Sequence, residues 1–422
     1  MEIAHAEVTR PLKGTSRLRN AFIAPNRLET RNWELLAALG SFRHLQTLED
    51  LRDALRQITR RKHVFFAPSC RSAIAQVLSM LPNHEVLLPA FTCPVVKRAV
   101  EVAGKRAVYV DIEKKTLNST SAEYAEKIRP GSVLLPTHLF GIPTDIEEIC
   151  ELARDHGCVT IEDAAAAFGA NRNGRWLGTF GDVGIFSFER SKRLPAFRGA
   201  AIIINNDQLI DPAKLAAQRV VSTKQAMPFR DLAFALVHNV ATHPLLYGRF
   251  TLPRLLRRSA KRCLAPTCET PEIPSETPFY SHDFHSYQAG LVLHMLRRID
   301  GIRSHIARLV SIYRDAFRDT PIQTFLGSES DGAGLLRFPI AFPGRERSQI
   351  LRLALQRGVY LETNYERPLA EESEHARLPN ALWAAQNVVL LPLYKSLSPK
   401  NAADLARKVI AVETDASLYP AE

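Results

Sequence analysis

The chain has 422 residues, of which 46% are hydrophobic and 23% are charged, and this predicts a globular protein with a major and a minor domain. The formal net charge of +11 favours an anionic substrate, an anionic membrane face or a solvated basic surface. No recognised nucleic-acid motif accompanies this charge, and no apolar run reaches the roughly 18–20 residues that span a bilayer, so the sequence favours neither nucleic-acid binding nor a membrane span.

The six cysteines are scattered without a paired framework, which in a chain of this length predicts reduced thiols and a cytoplasmic location. The N-terminus lacks the charged-then-apolar pattern of a signal peptide, which agrees with that location. Two of the cysteines are close in sequence, but no further Cys or His stands at metal-ligand spacing, so we expect no metal. The cysteines are Cys70, Cys93, Cys150, Cys158, Cys263 and Cys268.

Residues 1–60 are predicted to form an N-terminal arm followed by a helix, since apolar residues recur at helical spacing over residues 48–58. Residues 61–220 are predicted to form the large domain, because short apolar strands alternate with helical stretches as far as residue 206. Apolar runs of this length, separated by helices, favour an α/β fold with a largely parallel sheet covered on both faces. The predicted strands span residues 84–89, 106–111, 132–136, 158–162, 183–187 and 200–204.

Residues 221–280 interrupt this pattern and are predicted to form a basic helical insertion and a linker. The insertion contains an apolar helix over residues 232–241, followed by a basic stretch, and the linker is rich in Pro and Thr. Residues 281–422 are predicted to form a long helical region, from near Ser286 to Phe317, and then a small α+β domain. The basic residues of the insertion are Arg249, Arg254, Arg257, Arg258, Lys261 and Arg262.

Polar side chains follow two of the predicted strands at the points where the strands end. Asp163 ends one strand, Ser187 ends another, and Lys192 lies in the loop beyond Ser187. Functional groups of largely parallel sheets gather beyond the carboxyl ends of the strands, so we expect these side chains to meet. A carboxylate, a hydroxyl and an amine suit a cofactor with a ring nitrogen, a phosphate and an aldehyde. Pyridoxal phosphate has all three groups, and the sequence therefore predicts an enzyme of amine chemistry that uses it.

Lys192 is the expected attachment point of the pyridoxal aldehyde and the expected carrier of the proton that the substrate carbon exchanges. Asp163 is expected to pair with the ring nitrogen and keep it protonated, while Glu162 beside it is expected to be structural. At about 4 Å and an effective dielectric near 20, the attraction is roughly 4 kcal/mol, on the order of three pKa units before desolvation. The alternatives for the isolated residues are a surface lysine and an aspartate that caps a turn.

A predicted helix start supplies the expected phosphate site. Residues 68–71 end an apolar segment and open a helix, and free N–H groups at a helix start bind phosphate well. We expect the backbone of Cys70 and Arg71 to hold the phosphate together with the hydroxyl of Ser187. His138 follows another strand, but a histidine satisfied by the backbone is an equal alternative, and no catalytic role is assigned to it.

These residues resemble the DegT/DnrJ/StrS family of sugar aminotransferases, which are pyridoxal-phosphate enzymes of fold type I. The likeness runs from about residue 62 to residue 206 and resumes at Gln288. It implies a mostly parallel central sheet between helices, in a cofactor-binding large domain, and a smaller α+β C-terminal domain. The matching motifs lie at residues 87–92, 104–111, 138–145, 161–165, 178–182, 186–192, 358–359 and 391–393.

The resemblance implies a transaminase that moves an amino group, usually from glutamate, onto a keto sugar carried by a nucleotide diphosphate. It also implies a place in cell-surface polysaccharide or secondary-metabolite biosynthesis, and a homodimer whose sites are completed across the interface. The positive charge of the chain suits a substrate that bears a diphosphate. Dehydratase members of the family carry His in place of the lysine, so Lys192 disfavours that reaction.

The chain departs from the family pattern around the cofactor. Ala166 stands where the family commonly has Gln or His. Cys93 stands where an aromatic ring often stacks on the cofactor, with Phe91 as a substitute nearby. Cys70 and Arg71 replace the Gly and Thr of the phosphate turn. Two alternatives therefore stay open: a pyridoxal-phosphate enzyme of other chemistry, such as decarboxylation or acyl transfer, and a non-catalytic member with a binding or regulatory role.

The insertion over residues 221–280 is not expected from the family pattern. One hypothesis is an interfacial helix within residues 228–262 that brings the enzyme to an anionic membrane, peripheral to the inner membrane face and near lipid-linked sugars. The alternative, which we favour, is a lid or a dimer-packing element.

Overall fold

The computed structural model describes residues 22–28, 30–41, 44–208, 211, 228–243, 246–254, 284–326 and 332–415. Residues 1–21 of the predicted N-terminal arm lie outside these ranges, as do the predicted linker and the cysteines Cys263 and Cys268. The basic residues that follow Arg254 in the insertion also lie outside them.

The large domain is built around one sheet. Its strands are β1 (His63–Ala67), β2 (Glu85–Pro89), β3 (Arg106–Val110), β4 (Val133–Leu134), β5 (Val159–Asp163), β8 (Val183–Ser187) and β9 (Ala200–Ile204), while β6 (Asn171–Arg172) and β7 (Arg175–Trp176) form a separate hairpin. Within the described part of the chain, the sheet has the order β1-β9-β8-β5-β4-β2-β3. The strands from β8 to β3 run parallel, whereas β9 is antiparallel to both of its neighbours. The predicted mostly parallel sheet is therefore confirmed, with one antiparallel strand.

Helices cover both faces of this sheet. Strand side chains alternate between the faces, so that Ile202 of β9 belongs to one hydrophobic cluster and Ile203 to another. Burial on both faces explains why the strand sequences are nearly continuous apolar runs. The helices of the chain are α1 (Asn32–Gly40), α2 (Gln46–Thr59), α3 (Cys70–Met80), α4 (Pro94–Val102), α5 (Ser121–Ala125), α6 (Ile146–Asp155), α7 (Pro228–Ala241), α8 (Ser286–Leu296), α9 (Ile299–Phe317), α10 (Arg347–Gln356), α11 (Pro379–Asn387) and α12 (Pro399–Glu413).

The predicted long helical region is two helices with different partners. α8 packs against α1 and α2 of the large domain, whereas α9 packs against α12 of the C-terminal domain. At the break between them, the Arg298 guanidinium reaches back to the buried carboxylate of Glu34 on α1, with Nε 2.8 Å from Oε1. The division of the chain at residues 60, 220 and 280 stays a prediction, and α8 groups with the large domain.

The C-terminal domain has the small α+β architecture that the sequence predicts. Its strands β10 (Gln323–Thr324), β11 (Arg337–Ala341) and β12 (Val389–Pro392) form an antiparallel sheet. α12 packs against both α9 and α10. The N–H of Leu336, just before β11, donates to the carbonyl of Phe140 at 2.7 Å, so this domain closes against the large sheet.

The described part of the insertion is helical. α7 includes the predicted apolar helix, and a π-helical stretch follows over Tyr247–Thr251. α7 turns Asp231 inward, while Phe229, Val237 and Val240 are 76%, 68% and 60% exposed. The helix therefore presents apolar side chains outward as well as inward, where Ala235 is buried, and this differs from the usual surface helix. Among the described helices, none combines the length and apolarity that crossing a bilayer would require.

Candidate active site

The carboxyl ends of β1, β5 and β8 meet at one edge of the sheet. Ser187, the last residue of β8, pairs with Ala200 of β9, and Ala200 pairs with Ala67, the last residue of β1. Asp163, the last residue of β5, pairs with Ile185 of β8. The two polar residues predicted at strand ends therefore lie on neighbouring strands at the same edge.

Asp163 is a buried carboxylate that the backbone holds at this edge. Its N–H donates to the carbonyl of Pro136 at 2.8 Å, and its carbonyl accepts from the N–H of His138 at 3.1 Å. The N–H of Ala165 donates to Oδ1 at 3.0 Å. Burial raises the pKa of Asp163, whereas the Ala165 N–H and the charge of Lys192 pull that pKa down. A buried anion of this kind is stabilised by a cation, which Lys192 or a protonated ring nitrogen can supply.

Glu162, expected to be structural, lies on the opposite face of β5 from Asp163. Its carboxylate accepts from the backbone N–H groups of Gly178, Phe180 and Gly181 at 2.5 to 3.0 Å and from Nε2 of His138 at 2.9 Å. Nδ1 of His138 accepts from the N–H of Thr144 at 3.1 Å, which assigns the proton to Nε2. Burial on its own would raise the pKa of Glu162, but the bonds from His138 and the loop outweigh it and lower the pKa. His138 and Glu162 thus fix the end of β5 that carries Asp163.

Lys192 lies in a closed loop between β8 and β9. The base of the loop is fixed by a hydrogen bond from the N–H of Phe188 to the carbonyl of Gly199 at 2.9 Å. The tip is a turn in which the N–H of Lys192 donates to the carbonyl of Glu189 at 2.9 Å. Lys192 is half-buried, and its charge lowers the pKa of Asp163. The amine therefore lies near the carboxylate at the sheet edge.

The start of α3 lies at the same edge, because β1 leads directly into it. Cys70 and Arg71 are the first two residues of α3, and their N–H groups have no acceptor within the helix. Ser187 Oγ accepts the N–H of Glu189 at 3.3 Å and keeps its own proton to donate. The helix start and the Ser187 hydroxyl can therefore hold a phosphate.

Two thiols, Cys70 and Cys93, lie beside these charged residues. Burial raises the pKa of the Cys70 thiol well above its ordinary value, and the charge of Asp163 adds to this effect. Cys93 raises that pKa further, while Lys192 and Arg71 lower it. The structure thus brings these predicted residues into one neighbourhood, and their parts in cofactor binding stay predictions.

Phe91 is a core residue, and its predicted place over the cofactor ring stays a prediction. It is 1% exposed, and its ring packs edge-to-face against Tyr365 at 5.5 Å and Phe140 at 6.5 Å between centroids. A ring enclosed in this way has little exposed surface left for stacking. Ala166 is half-buried on the loop after β5, and its methyl group can make no hydrogen bond to a cofactor.

Sequence reasoning missed Arg193, the residue after the lysine. Its guanidinium is buried and donates to the carbonyl of Leu335, in the segment that leads into β11. The lysine loop is thereby tied to the C-terminal domain. The sequence carries no signal for this contact, because the acceptor is a backbone carbonyl 142 residues away.

This sheet, with a lysine loop, a buried carboxylate and a helix start at one edge, has the pyridoxal-phosphate transferase fold of type I. The model of the DegT/DnrJ/EryC1/StrS aminotransferase family matches residues 28–265 and 269–410, and the chain belongs to this family.

Relatives with curated names match over part of the chain. The UDP-N-acetyl-3-dehydro-alpha-D-glucosamine 3-aminotransferase of Acidithiobacillus ferrooxidans is 38% identical over 133 residues, 31% of this chain and 36% of that protein. The pleiotropic regulatory protein of Geobacillus stearothermophilus is 35% identical over 142 residues, covering 33% and 38%. The GDP-perosamine synthase of Escherichia coli O157:H7 is 32% identical over 135 residues, covering 32% and 37%. The chain therefore spans less than half the length of the curated relatives it matches.

Solved structures are similar over nearly the whole chain. The PLP-form of the putative sugar aminotransferase Spr1654 from Streptococcus pneumoniae has a TM-score of 0.71 at 18% identity, covering 93% of this chain and 98% of that one. The aminotransferase TlmJ from Streptoalloteichus hindustanus has a TM-score of 0.70 at 22% identity, covering 92% and 98%. DesI in the presence of its TDP-sugar product has a TM-score of 0.68 at 18% identity, covering 94% of each chain. At these identities the likeness shows the fold.

Proposed function

We propose that this chain is a pyridoxal-phosphate-dependent aminotransferase that moves an amino group from glutamate onto a keto sugar carried on a nucleotide. The observation that carries the proposal is the meeting of Lys192, Asp163 and the start of α3 at one sheet edge. An amine, a buried carboxylate and free N–H donors are the groups that this cofactor needs. Membership of an aminotransferase family supports the reaction class.

The residues at this edge fit pyridoxal phosphate. Asp163 would hold the proton on the ring nitrogen, since its buried carboxylate is stabilised by a cation. The N–H groups of Cys70 and Arg71 would hold the phosphate together with the Ser187 hydroxyl. Nζ of Lys192 would move a proton to and from the substrate carbon that bears the amine. When bound, the cofactor supplies an electron sink that stabilises negative charge at that carbon.

A nucleotide-linked sugar is the proposed substrate class. The names of two relatives contain a UDP-linked and a GDP-linked sugar, and one structural neighbour was solved with a TDP-sugar product. The chemical feature common to these compounds is a nucleoside diphosphate. The net charge of +11 favours an anionic substrate of this kind.

The test is a panel of UDP-, GDP- and TDP-linked keto sugars incubated with glutamate and pyridoxal phosphate. We expect release of 2-oxoglutarate with at least one of them, and none from Lys192→Ala. The visible absorption band of lysine-bound cofactor should appear in the wild type and be lost in Lys192→Ala. A band that persists in the variant would refute the assignment of Lys192.

A binding or regulatory function without turnover is the second candidate. The relative from Geobacillus stearothermophilus is named a pleiotropic regulatory protein, and Ala166 and Cys93 replace residues that the family usually places at the cofactor. A wild-type protein that shows the band, yet releases no 2-oxoglutarate with any substrate of the panel, would favour this candidate.

The proposed assembly is a homodimer that uses the outer face of α7. A groove of 840 Å³ lies between α1 and α7 and is lined by Trp33 and Val240. Trp33 and Leu36 of α1 are also exposed, so the apolar surface spans both helices. Side chains at this spacing suit packing against another helix. The exposed residues of α7 are Phe229, Arg230, Ala233, Phe234, Leu236, Val237 and Val240.

The alternative partner of the outer face of α7 is an anionic membrane. Arg249 and Arg254 lie over the exposed ring of Phe250, at 5.6 and 5.9 Å from its centroid.

Val237→Asp should convert a dimer into a monomer in analytical ultracentrifugation. A membrane role would be favoured instead if the wild-type protein is a monomer and floats with vesicles of anionic phosphatidylglycerol. The variant that lacks residues 228–262 should then no longer float with them. A cytoplasmic location is part of the same proposal, supported by the scattered cysteines.

A further inference from the structure

The buried face of α7 is attached to the loop that carries Lys192. Asp231 of α7 is 7% exposed, and Nη2 of Arg198 lies 2.9 Å from its Oδ1 and 3.2 Å from its Oδ2. The hydroxyl of Tyr287 on α8 donates to Oδ2 of the same carboxylate. Asp231 therefore joins three segments: the insertion, the lysine loop and α8.

Two aromatic contacts place α7 on both sides of Lys192. The guanidinium of Arg190, before the lysine, lies 5.3 Å from the ring centroid of Phe234. The ring of Phe197, after the lysine, packs edge-on against the same ring at 6.5 Å. One helix of the insertion thus contacts the loop before and after the residue that carries the amine.

The inner side of the loop is held by α8. The side-chain amide of Gln288 donates to the carbonyl of Ala196 at 2.9 Å and to that of Arg198 at 3.0 Å. Gly199 has a φ of +110°, and a Cβ there would lie 2.3 Å from the ring of Phe284, so the backbone closes tightly at this point. The lysine loop is therefore held by α8 through Gln288 and Phe284, and by α7 through its contacts with Arg190, Phe197 and Arg198.

The ion pair between Asp231 and Arg198 is well suited to support the lysine loop. Burial raises the pKa of Tyr287, and Asp231 raises it further, so the phenol stays protonated and keeps donating to the carboxylate. Removal of either member of a buried pair leaves the other charge uncompensated, and the local structure must then rearrange to reach water. A rearrangement at Arg198 would move the chain next to Gly199, at the base of the loop.

We propose that Asp231 is a positioning residue: through Arg198 it holds residues 189–199 so that the Lys192 amine stays beside Asp163. The inserted helix is then a support of the active site. This inference rests on the proposed function for the part that concerns the cofactor, while the support of the loop stands on the contacts of the protein alone.

The first measurement is hydrogen exchange of residues 189–199 in cofactor-free protein. Asp231→Asn and Arg198→Gln should each increase exchange in this loop, and the double variant should exchange no faster than the singles, because the residues act as one pair. Asp315→Asn, which removes an exposed ion pair between α9 and the next residue Arg318, is the matched control and should leave the loop unchanged. Unchanged exchange in both test variants would overturn the proposal.

The second measurement is the titration of each full-length variant with pyridoxal phosphate, followed at the visible band. Asp231→Asn should bind about tenfold more weakly than wild type, and Asp231→Glu should recover part of this loss. A folded Asp231→Asn protein with wild-type affinity and an unchanged band would also overturn the proposal. If the wild type itself shows no band, the proposed function fails, and the exchange data still decide whether α7 supports the loop.

Discussion

Asp111, directly after β3 in the large domain, caps helix α11 of the C-terminal domain. Its Oδ1 accepts the N–H of Ala381 at 2.7 Å, and its Oδ2 accepts the N–H of Asn380 at 3.1 Å. The side-chain amide of Asn380 returns a bond to the carbonyl of Ile112 at 2.8 Å. A carboxylate at a helix start satisfies free N–H groups and favours the positive end of the helix dipole. The cap therefore helps to fix the two domains relative to each other.

Asp111→Ala should lower the free energy of unfolding by about 1–2 kcal/mol, the usual effect of losing a helix cap. Urea unfolding at pH 7 is the measurement. Asp404→Ala, which removes an exposed ion pair with Arg407, is the control and should change stability by less than about 0.5 kcal/mol. A loss in Asp111→Ala no larger than in the control would contradict the assignment of the cap.

Asp163→Asn is expected to stabilise the cofactor-free protein. Burial holds the pKa of Asp163 above its unfolded value, so the folded state binds this proton more tightly than the unfolded state does. This tighter proton binding stabilises the folded state fully at pH values below the pKa of Asp163 in the unfolded chain. The stabilisation is lost as the pH rises through the pKa of Asp163 in the folded protein. Asn carries no charge and avoids this loss, so the variant should melt higher than wild type at pH 7. For a gain of about 1 kcal/mol in a chain of this length the rise is about 1 °C.

Two results would check that expectation. In calorimetry, the melting temperatures of Asp163→Asn and wild type should converge as the pH falls below the unfolded pKa of about 3.9, where the wild-type carboxyl becomes neutral in both states. In the aminotransferase assay, the same variant should lose about 100-fold in kcat, because the ring nitrogen lacks its anion. A variant that is less stable than wild type at pH 7 would show that the buried charge is already compensated.

Glu162→Gln should lower the free energy of unfolding by about 1–3 kcal/mol at pH 7, because a carboxylate that accepts from His138 and from buried backbone N–H groups is replaced by an amide whose nitrogen cannot accept. Bonds from His138 and the loop hold the pKa of Glu162 below its unfolded value despite burial. Its contribution is therefore present above the unfolded pKa and is lost as the pH falls through the folded pKa. Urea unfolding at pH 7 and at pH 4 should show a smaller difference from wild type at the lower pH. Equal differences at both values would point to packing rather than charge.

The strands and the sheet edge could be predicted because their signals are local. Apolar runs predict the strands, and Asp163 and Ser187 stand at their ends in the sequence. The antiparallel direction of β9 could not be predicted, since strands buried on both faces have the same apolar composition in either direction. The burial of the Phe91 ring could not be predicted for a different reason: the ring packs against Tyr365, which is remote in sequence.

The orientation of α7 is the clearest limit of the sequence pattern. Helical spacing of apolar residues normally predicts that the apolar face is buried. In this structure Asp231 turns inward beside the buried Ala235, because Arg198 and Tyr287 provide a cation and a donor there, while other apolar residues of the helix stay exposed. Both partners come from distant segments, so no local pattern reveals them.

Cys93→Phe should tighten the binding of pyridoxal phosphate by about threefold to tenfold, because an aromatic pair is worth about 0.5–1.5 kcal/mol. Cys93 is half-buried beside Cys70, whereas Phe91 is enclosed in the core. Phe91→Leu is the matched control: it should lower the free energy of unfolding by about 1 kcal/mol and leave the dissociation constant of the cofactor unchanged. Titration of both variants at the visible band separates the two positions. Weaker binding in Phe91→Leu, with no gain in Cys93→Phe, would mean that the ring of Phe91 reaches the cofactor after all.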